Sequence, residues 1–182
     1  MKKFSTILVF ILLAALLAGC AGNEISEVSA GDAAGDGSLG EATTKILDKT
    51  PSRVHNIELA MDKVDGHTLA PGEEFSFNGV VGERSEGAGY EEAIALINTD
   101  KVMETGGGVC QLSTTIYQAA KDAGMKITER HRHKKKIAYA AAGEDATVDY
   151  ATKTDLKFVN DTEDPVKISC SIKENRLTVT IG

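Results

Sequence analysis

The run GGGVCQLSTTIYQAAKDAGMKITERHRH spans residues 106–133. Three glycines lead directly into Cys110. Behind the cysteine, Leu112, Ile116, Ala119 and Ala120 recur at helical spacing, with Gln111, Thr114, Gln118, Lys121 and Asp122 on the opposite face. Gly124 stands where a residue of positive φ closes a helix. MKITER then alternates as a strand does. The spacing predicts an amphipathic helix that begins at the cysteine and feeds a strand, with His131 and His133 just beyond it. This helix-to-strand switch sets the frame for the rest of the chain.

Upstream, Pro51 and Ser52 open a second helical pattern in which Val54, Ile57, Met61 and Val64 share a stripe, and Asp65-Gly66 ends it. A Pro-Gly turn at 71–72 precedes a strand with Phe75 and Phe77 on one face. GVVGERSEGAGY reads as loop. EEAIALINTDKVMET, interrupted at Asn98-Thr99-Asp100, reads as two short strands. Downstream, KKIAYA, DATVDY and TDLKFVN are candidate strands. VKISCSIKENRLTVTIG closes the chain as a hairpin about Glu174-Asn175, with Val166, Ile168, Cys170 and Ile172 on one face. The expected fold class is α+β, with an N-terminal and a central amphipathic helix packed on a mainly antiparallel sheet.

The N-terminus has a different character. Met1-Lys2-Lys3 precedes an apolar run from Phe4 to Leu17, then Leu17-Ala18-Gly19-Cys20. A short positive region, an apolar stretch and small residues make an export signal. The last four residues resemble the bacterial lipobox, which implies cleavage before Cys20 and lipidation of its thiol. Residues 1–19 are thus expected to be a lipoprotein signal peptide. Residues 20–44, rich in Gly, Ala, Ser, Asp and Glu, are expected to be a flexible acidic linker, and 45–182 a single domain. Twenty basic against 27 acidic residues give a net charge of -7, which argues against a nucleic-acid partner. The expected location is extracytoplasmic, with the membrane engaged through lipidated Cys20.

At the first turn of a helix, the dipole and free N–H groups favour a thiolate. Gly107 and Gly108 allow close backbone approach and, with Gln111, are candidates to line an oxyanion site. A thiolate needs an imidazole partner, for which His133 is the first candidate and His131 the alternate. An orienting acid is expected from Asp145, with Asp149 as alternate. Cys110, His133 and Asp145 are therefore the candidate catalytic residues. Competing readings keep Cys110 as a buried small residue, pair it with Cys170 in a disulfide, or join it to both histidines as metal ligands. No resident metal or cofactor is expected.

The order Cys-helix, His, Asp resembles the topology of transglutaminase-like thiol enzymes between residues 106 and about 150. A closer resemblance covers residues 51–182. PGEEFSFNGVVGERSEGAGY, GGGVCQLSTTIYQAA, RHRH, GEDATVDY and DLKFVN together resemble the VanW family. The family's namesake lies in vancomycin-resistance clusters, and members often accompany peptidoglycan-binding modules. The resemblance implies a role near the cell wall, with cell-wall peptide or glycan as partner. This chain departs from the family pattern at Lys134 and Glu144, where a serine and an arginine are usual. Two functions are consistent with these features. One is a thiol hydrolase or acyl transferase acting on peptide or amide bonds of cell-wall material. The other is a non-catalytic peptidoglycan-binding or envelope-assembly module.

Overall fold

The computed structural model describes residues 37–97 and 100–182. The expected signal peptide, Cys20 and most of the expected linker lie outside the described residues. In chain order the elements are β1 (Gly40–Lys45), α1 (Pro51–Val64), β2 (Thr68–Leu69), β3 (Glu74–Ser76), α2 (Phe77–Val81), a 3-10 turn (Glu86–Ala88), β4 (Glu92–Ile97), β5 (Asp100–Thr105), α3 (Val109–Asp122), β6 (Lys126–Glu129), β7 (Lys157–Val159), β8 (Val166–Lys173) and β9 (Arg176–Ile181). This is the expected α+β class. Every strand pair is antiparallel.

The strands form a four-stranded sheet in the order β1-β9-β8-β2, a three-stranded sheet in the order β3-β7-β6, and the β4-β5 hairpin. Helix α3 packs on β1 and β9, and α1 packs on α3. The β8-β9 turn places Glu174 and Asn175 at φ 51° and 59°, the backbone that a two-residue hairpin of this twist requires. Val166 and Ile168 are buried, and Cys170 and Ile172 pack against the same core. Stacked Phe75 and Phe158 rings, 4.9 Å apart, join β3 to β7.

Five expectations change. The linker does not run to Thr44, because Gly40–Lys45 is strand β1, paired in register with β9 from Gly40↔Ile181 to Lys45↔Arg176. Its inward residues, Gly40, Ala42 and Thr44, are small, so no apolar alternation announced it. Phe77 is buried as expected but begins helix α2, capped by Ser76, whose hydroxyl accepts from the Gly79 N–H. The glycine-rich stretch that follows holds the end of α2 and the 3-10 turn. KKIAYA and DATVDY are not strands. They are irregular backbone, with isolated bridges His131↔Thr147 and Asp149↔Thr154. Finally, α3 is buried on nearly every side in its first two turns, including Gln111, Ser113, Thr114 and Thr115. Each polar side chain there has a partner, as burial demands. The Ser113 and Thr114 hydroxyls donate to the Ala146 carbonyl, and Thr115 pairs with Thr44 at 2.8 Å.

Candidate functional site

Cys110 sits in the first turn of α3, behind Gly108 as N-cap residue. Gly108 has φ 110°, and a Cβ there would lie 2.9 Å from Arg53 Cγ and 3.1 Å from the Arg53 carbonyl oxygen. Only glycine meets both conditions. Gly108→Ala is expected to cost about 2–5 kcal/mol in unfolding free energy from backbone strain plus overpacking. Gly124→Ala, also at positive φ but with nothing within 4 Å of the added carbon, should cost only about 1 kcal/mol. Chemical denaturation of the two variants checks the difference.

Three expected residues meet. The Cys110 thiol is partly buried, 3.5 Å from the Thr147 hydroxyl and 3.4 Å from the Val148 carbonyl, to which it donates when protonated. His133 lines the same cavity and lies close enough for its charge to act on the thiol. The His133 Nδ1 lies 2.7 Å from Asp145 Oδ2, and the His133 backbone N–H donates to the same oxygen at 2.7 Å. With Nδ1 held by the carboxylate, Nε2 is the ring nitrogen left for sulfur. Both side chains of this pair are nearly buried, at 6% and 8% exposure.

The electrostatics follow from that contact chain. Burial pushes the Cys110 thiol up, but the hydrogen bond and charge of His133 outweigh it, and the pKa falls below the ordinary thiol value. Burial pulls His133 down, yet Cys110 and then Asp145 raise it above the usual imidazole range. Asp145 is opposed by burial as well, but the His133 N–H, its ring and Arg130 hold the carboxyl below the carboxylate norm. The arrangement favours a thiolate–imidazolium pair.

Arg130 and Tyr139 belong to this site although the sequence reading did not single them out. The Arg130 guanidinium donates to the carbonyls of Asp145 (2.7 Å) and Gly143 (2.6 Å), and lies 4.4 Å from the Tyr117 ring centroid. It thereby fixes the irregular segment that carries Asp145. Tyr139 meets the His133 ring edge-on at 6.5 Å. Spacing offers no signal for either residue, since both act through a loop.

The remaining candidates lie elsewhere or are already engaged. His131 is exposed and pairs with Glu129 at 3.0 Å, away from the sulfur. Asp149 lines the same cavity but accepts from the Ala151 N–H and the Thr152 hydroxyl of its own turn. The Gly107 N–H donates to the Glu104 carbonyl, and the Gln111 N–H to the Gly108 carbonyl. The Gln111 side chain is a strut, donating to Thr44 and the Lys45 carbonyl and accepting from Arg53. The oxyanion role expected of Gly107 and Gln111 is therefore not open to them in this geometry. Cys110 and Cys170 are both free, so the disulfide does not form. Cys170 is pushed up to about 12, first by burial and then by Asp65, which makes it a poor nucleophile. Among the described residues no three His, Cys, Asp or Glu side chains gather as a metal site.

Cys110 and His133 open onto a cavity of about 860 Å³, walled by the triglycine loop, the β4-β5 hairpin and the 134–139 segment. That volume suits a ligand of several residues. Residues 52–182 match the family model described as VanW like protein, and the chain belongs to that family. It is 34% identical over 143 residues to the Uncharacterized protein YoaR of Bacillus subtilis (strain 168), covering 79% of this chain and 47% of that protein. It is 27% identical over 131 residues to the Vancomycin B-type resistance protein VanW of Enterococcus faecalis (strain ATCC 700802 / V583), covering 69% of this chain and 47% of that protein. The chain thus spans about half the length of these relatives. No solved structure matches it.

Proposed function

We propose that this protein is a thiol enzyme of the cell envelope that acts on peptide or amide bonds of cell-wall material. The observation that carries the proposal is that Cys110 shares a cavity wall with His133, whose ring is held by Asp145 at 2.7 Å and whose charge acts on the thiol. The Cys110 thiolate attacks a carbonyl carbon and forms a thioester. His133 gives its proton to the departing amine. Water or a second amine then attacks the thioester, His133 takes that nucleophile's proton, and the cysteine is released. Asp145 keeps the ring oriented and its charge balanced throughout.

The wall as substrate source is supported by the membership in the VanW-like family and by the name of the enterococcal relative. Lipidation at Cys20 would hold the domain at the outer membrane face, as the LAGC run and the apolar segment before it suggest. The direct test is incubation with solubilised peptidoglycan fragments, read by mass spectrometry. The expected result is a changed fragment set and a thioester adduct on Cys110, both lost in a folded Cys110→Ser variant. If neither fragments nor Cys110 change, and Cys110→Ser binds fragments as well as the parent, the domain is a wall-binding module and the enzyme reading falls.

A further inference from the structure

The glycines before Cys110 make room for two arginines. A Cβ on Gly106 would lie 2.8 Å from Arg84 Cβ, and one on Gly108 would lie 2.9 Å from Arg53 Cγ. The stems of Arg84 and Arg53 therefore pass close against the loop, from the segment after α2 and from α1 respectively. Both residues line the cavity that holds the thiol.

Neither guanidinium has an anionic partner at ion-pair distance among the described residues. Arg84 donates to the Asn78 side-chain oxygen at 2.7 Å and the Gly82 carbonyl at 2.9 Å, both neutral. Arg53 donates to the Ile94 carbonyl and the Gln111 side-chain oxygen, also neutral, and its buried Nε has no partner. Each charge is partly withdrawn from water and fixed by neutral acceptors. A cation held this way gains most from an anion that arrives with the ligand. Burial is also the first influence on the Arg84 pKa, lowering it, while the charges of Cys110, Tyr90, Asp149 and Asp155 act the other way.

We propose that Arg84 and Arg53 form an anion subsite beside Cys110 that takes a carboxylate of the peptide substrate. The proposal rests on the reading of Cys110 as a nucleophile, and it adds which substrates that nucleophile meets. A planar carboxylate matches the two-pronged guanidinium. Glu104 in the same wall favours a singly charged group over a phosphate dianion.

The test uses the full chain and two alkylating probes of similar size, anionic iodoacetate and neutral iodoacetamide, with modification of Cys110 followed by peptide mass spectrometry. The same cysteine in the urea-unfolded chain is the reference. The expected iodoacetate-to-iodoacetamide rate ratio is about tenfold higher in the folded protein, the scale of one charge-assisted hydrogen bond. Because the His133 imidazolium also attracts anions, the variants decide. The ratio should fall at least about fivefold in Arg84→Gln, and also fall in Arg53→Gln. Arg53→Gln serves alone if Arg84→Gln does not fold. A ratio within twofold of the parent in every folded variant overturns the subsite and leaves the nucleophile standing. A Cys110 that reacts with neither probe near neutral pH removes the nucleophile first, and the subsite with it.

Discussion

His133→Ala is expected to slow alkylation of Cys110 by iodoacetamide at least about tenfold near pH 6.5 and to move its pH profile upward, toward the ordinary thiol value of about 8.5. Turnover of a true substrate should fall by about 10²–10⁴, the range for loss of a positioned general acid–base. The direction follows from the charges. The native thiol ionises below its ordinary pKa because the imidazolium holds the thiolate, and His133 stays protonated above its own because the thiolate and Asp145 hold it. Between those two native values the ion pair exists, and outside that window it is lost. The stability that His133 contributes is fully present below its unfolded pKa of about 6.5 and disappears as pH rises through the raised native value. Asp145 has the opposite sense. Its contribution is present above the unfolded carboxylate pKa of about 3.9 and is lost as pH falls through the depressed native value. A single unshifted alkylation profile in both parent and His133→Ala would disprove the ion pair.

The second large effect concerns β1. A chain beginning at residue 37 is expected to unfold like the parent domain, whereas one beginning at residue 52 should lose at least about 4 kcal/mol, much of a typical 5–15 kcal/mol stability. Removing residues up to 51 uncovers β9 and deletes Ile46, which is 1% exposed. Burying an isoleucine is worth about 1.5–3 kcal/mol. The cut also takes Thr44 and the Lys45 carbonyl from the buried amide of Gln111, and Thr44 from Thr115. Orphaned buried polar groups cost about 1–3 kcal/mol each. Because Gln111 follows the cysteine directly, the shorter chain should also lose fast thiol alkylation. Urea unfolding of the two chains, with Cys110 labelling at low denaturant, checks both parts. Equal midpoints would show that β1 is dispensable.

How much of this was legible beforehand depended on what each residue leaned on. The helices α1 and α3, the β4-β5 pair and the closing hairpin carry their patterns locally, through apolar spacing and turn residues, and they appear where expected. Cys110, His133 and Asp145 also fall near one another, but His133 and Asp145 do so from irregular backbone and not from the successive strands expected. Strand β1 was hidden because Gly40, Ala42 and Thr44 face a helix through small side chains. The hydroxyl pair Thr43–Thr178, 2.8 Å apart, does part of the work that apolar alternation does elsewhere. Gln111 stood on the polar face of the helical wheel, yet it is buried like Thr115, since their partners come from a segment 67 and 71 residues away in the chain. Arg84 had no signature at all. Its place is set by Asn78, itself held by Asp155 and the Thr154 carbonyl.

The direction of β1 has a mechanical consequence. The strand enters at Gly40, beside the C-terminal end of α3, and leaves at Lys45, beside its N-terminal end, where Gln111 and Cys110 lie. Tension between the preceding chain and a large polymer held at the cavity would run along β1. The six-residue ladder with β9 would then be loaded lengthwise, across its hydrogen bonds. They would have to slip together, because that direction of pull does not open them one at a time as unzipping would. The strand that the composition disguises as tether is thus oriented to act as a shear clamp under such a pull, and the load would pass to the helix bearing the thiol.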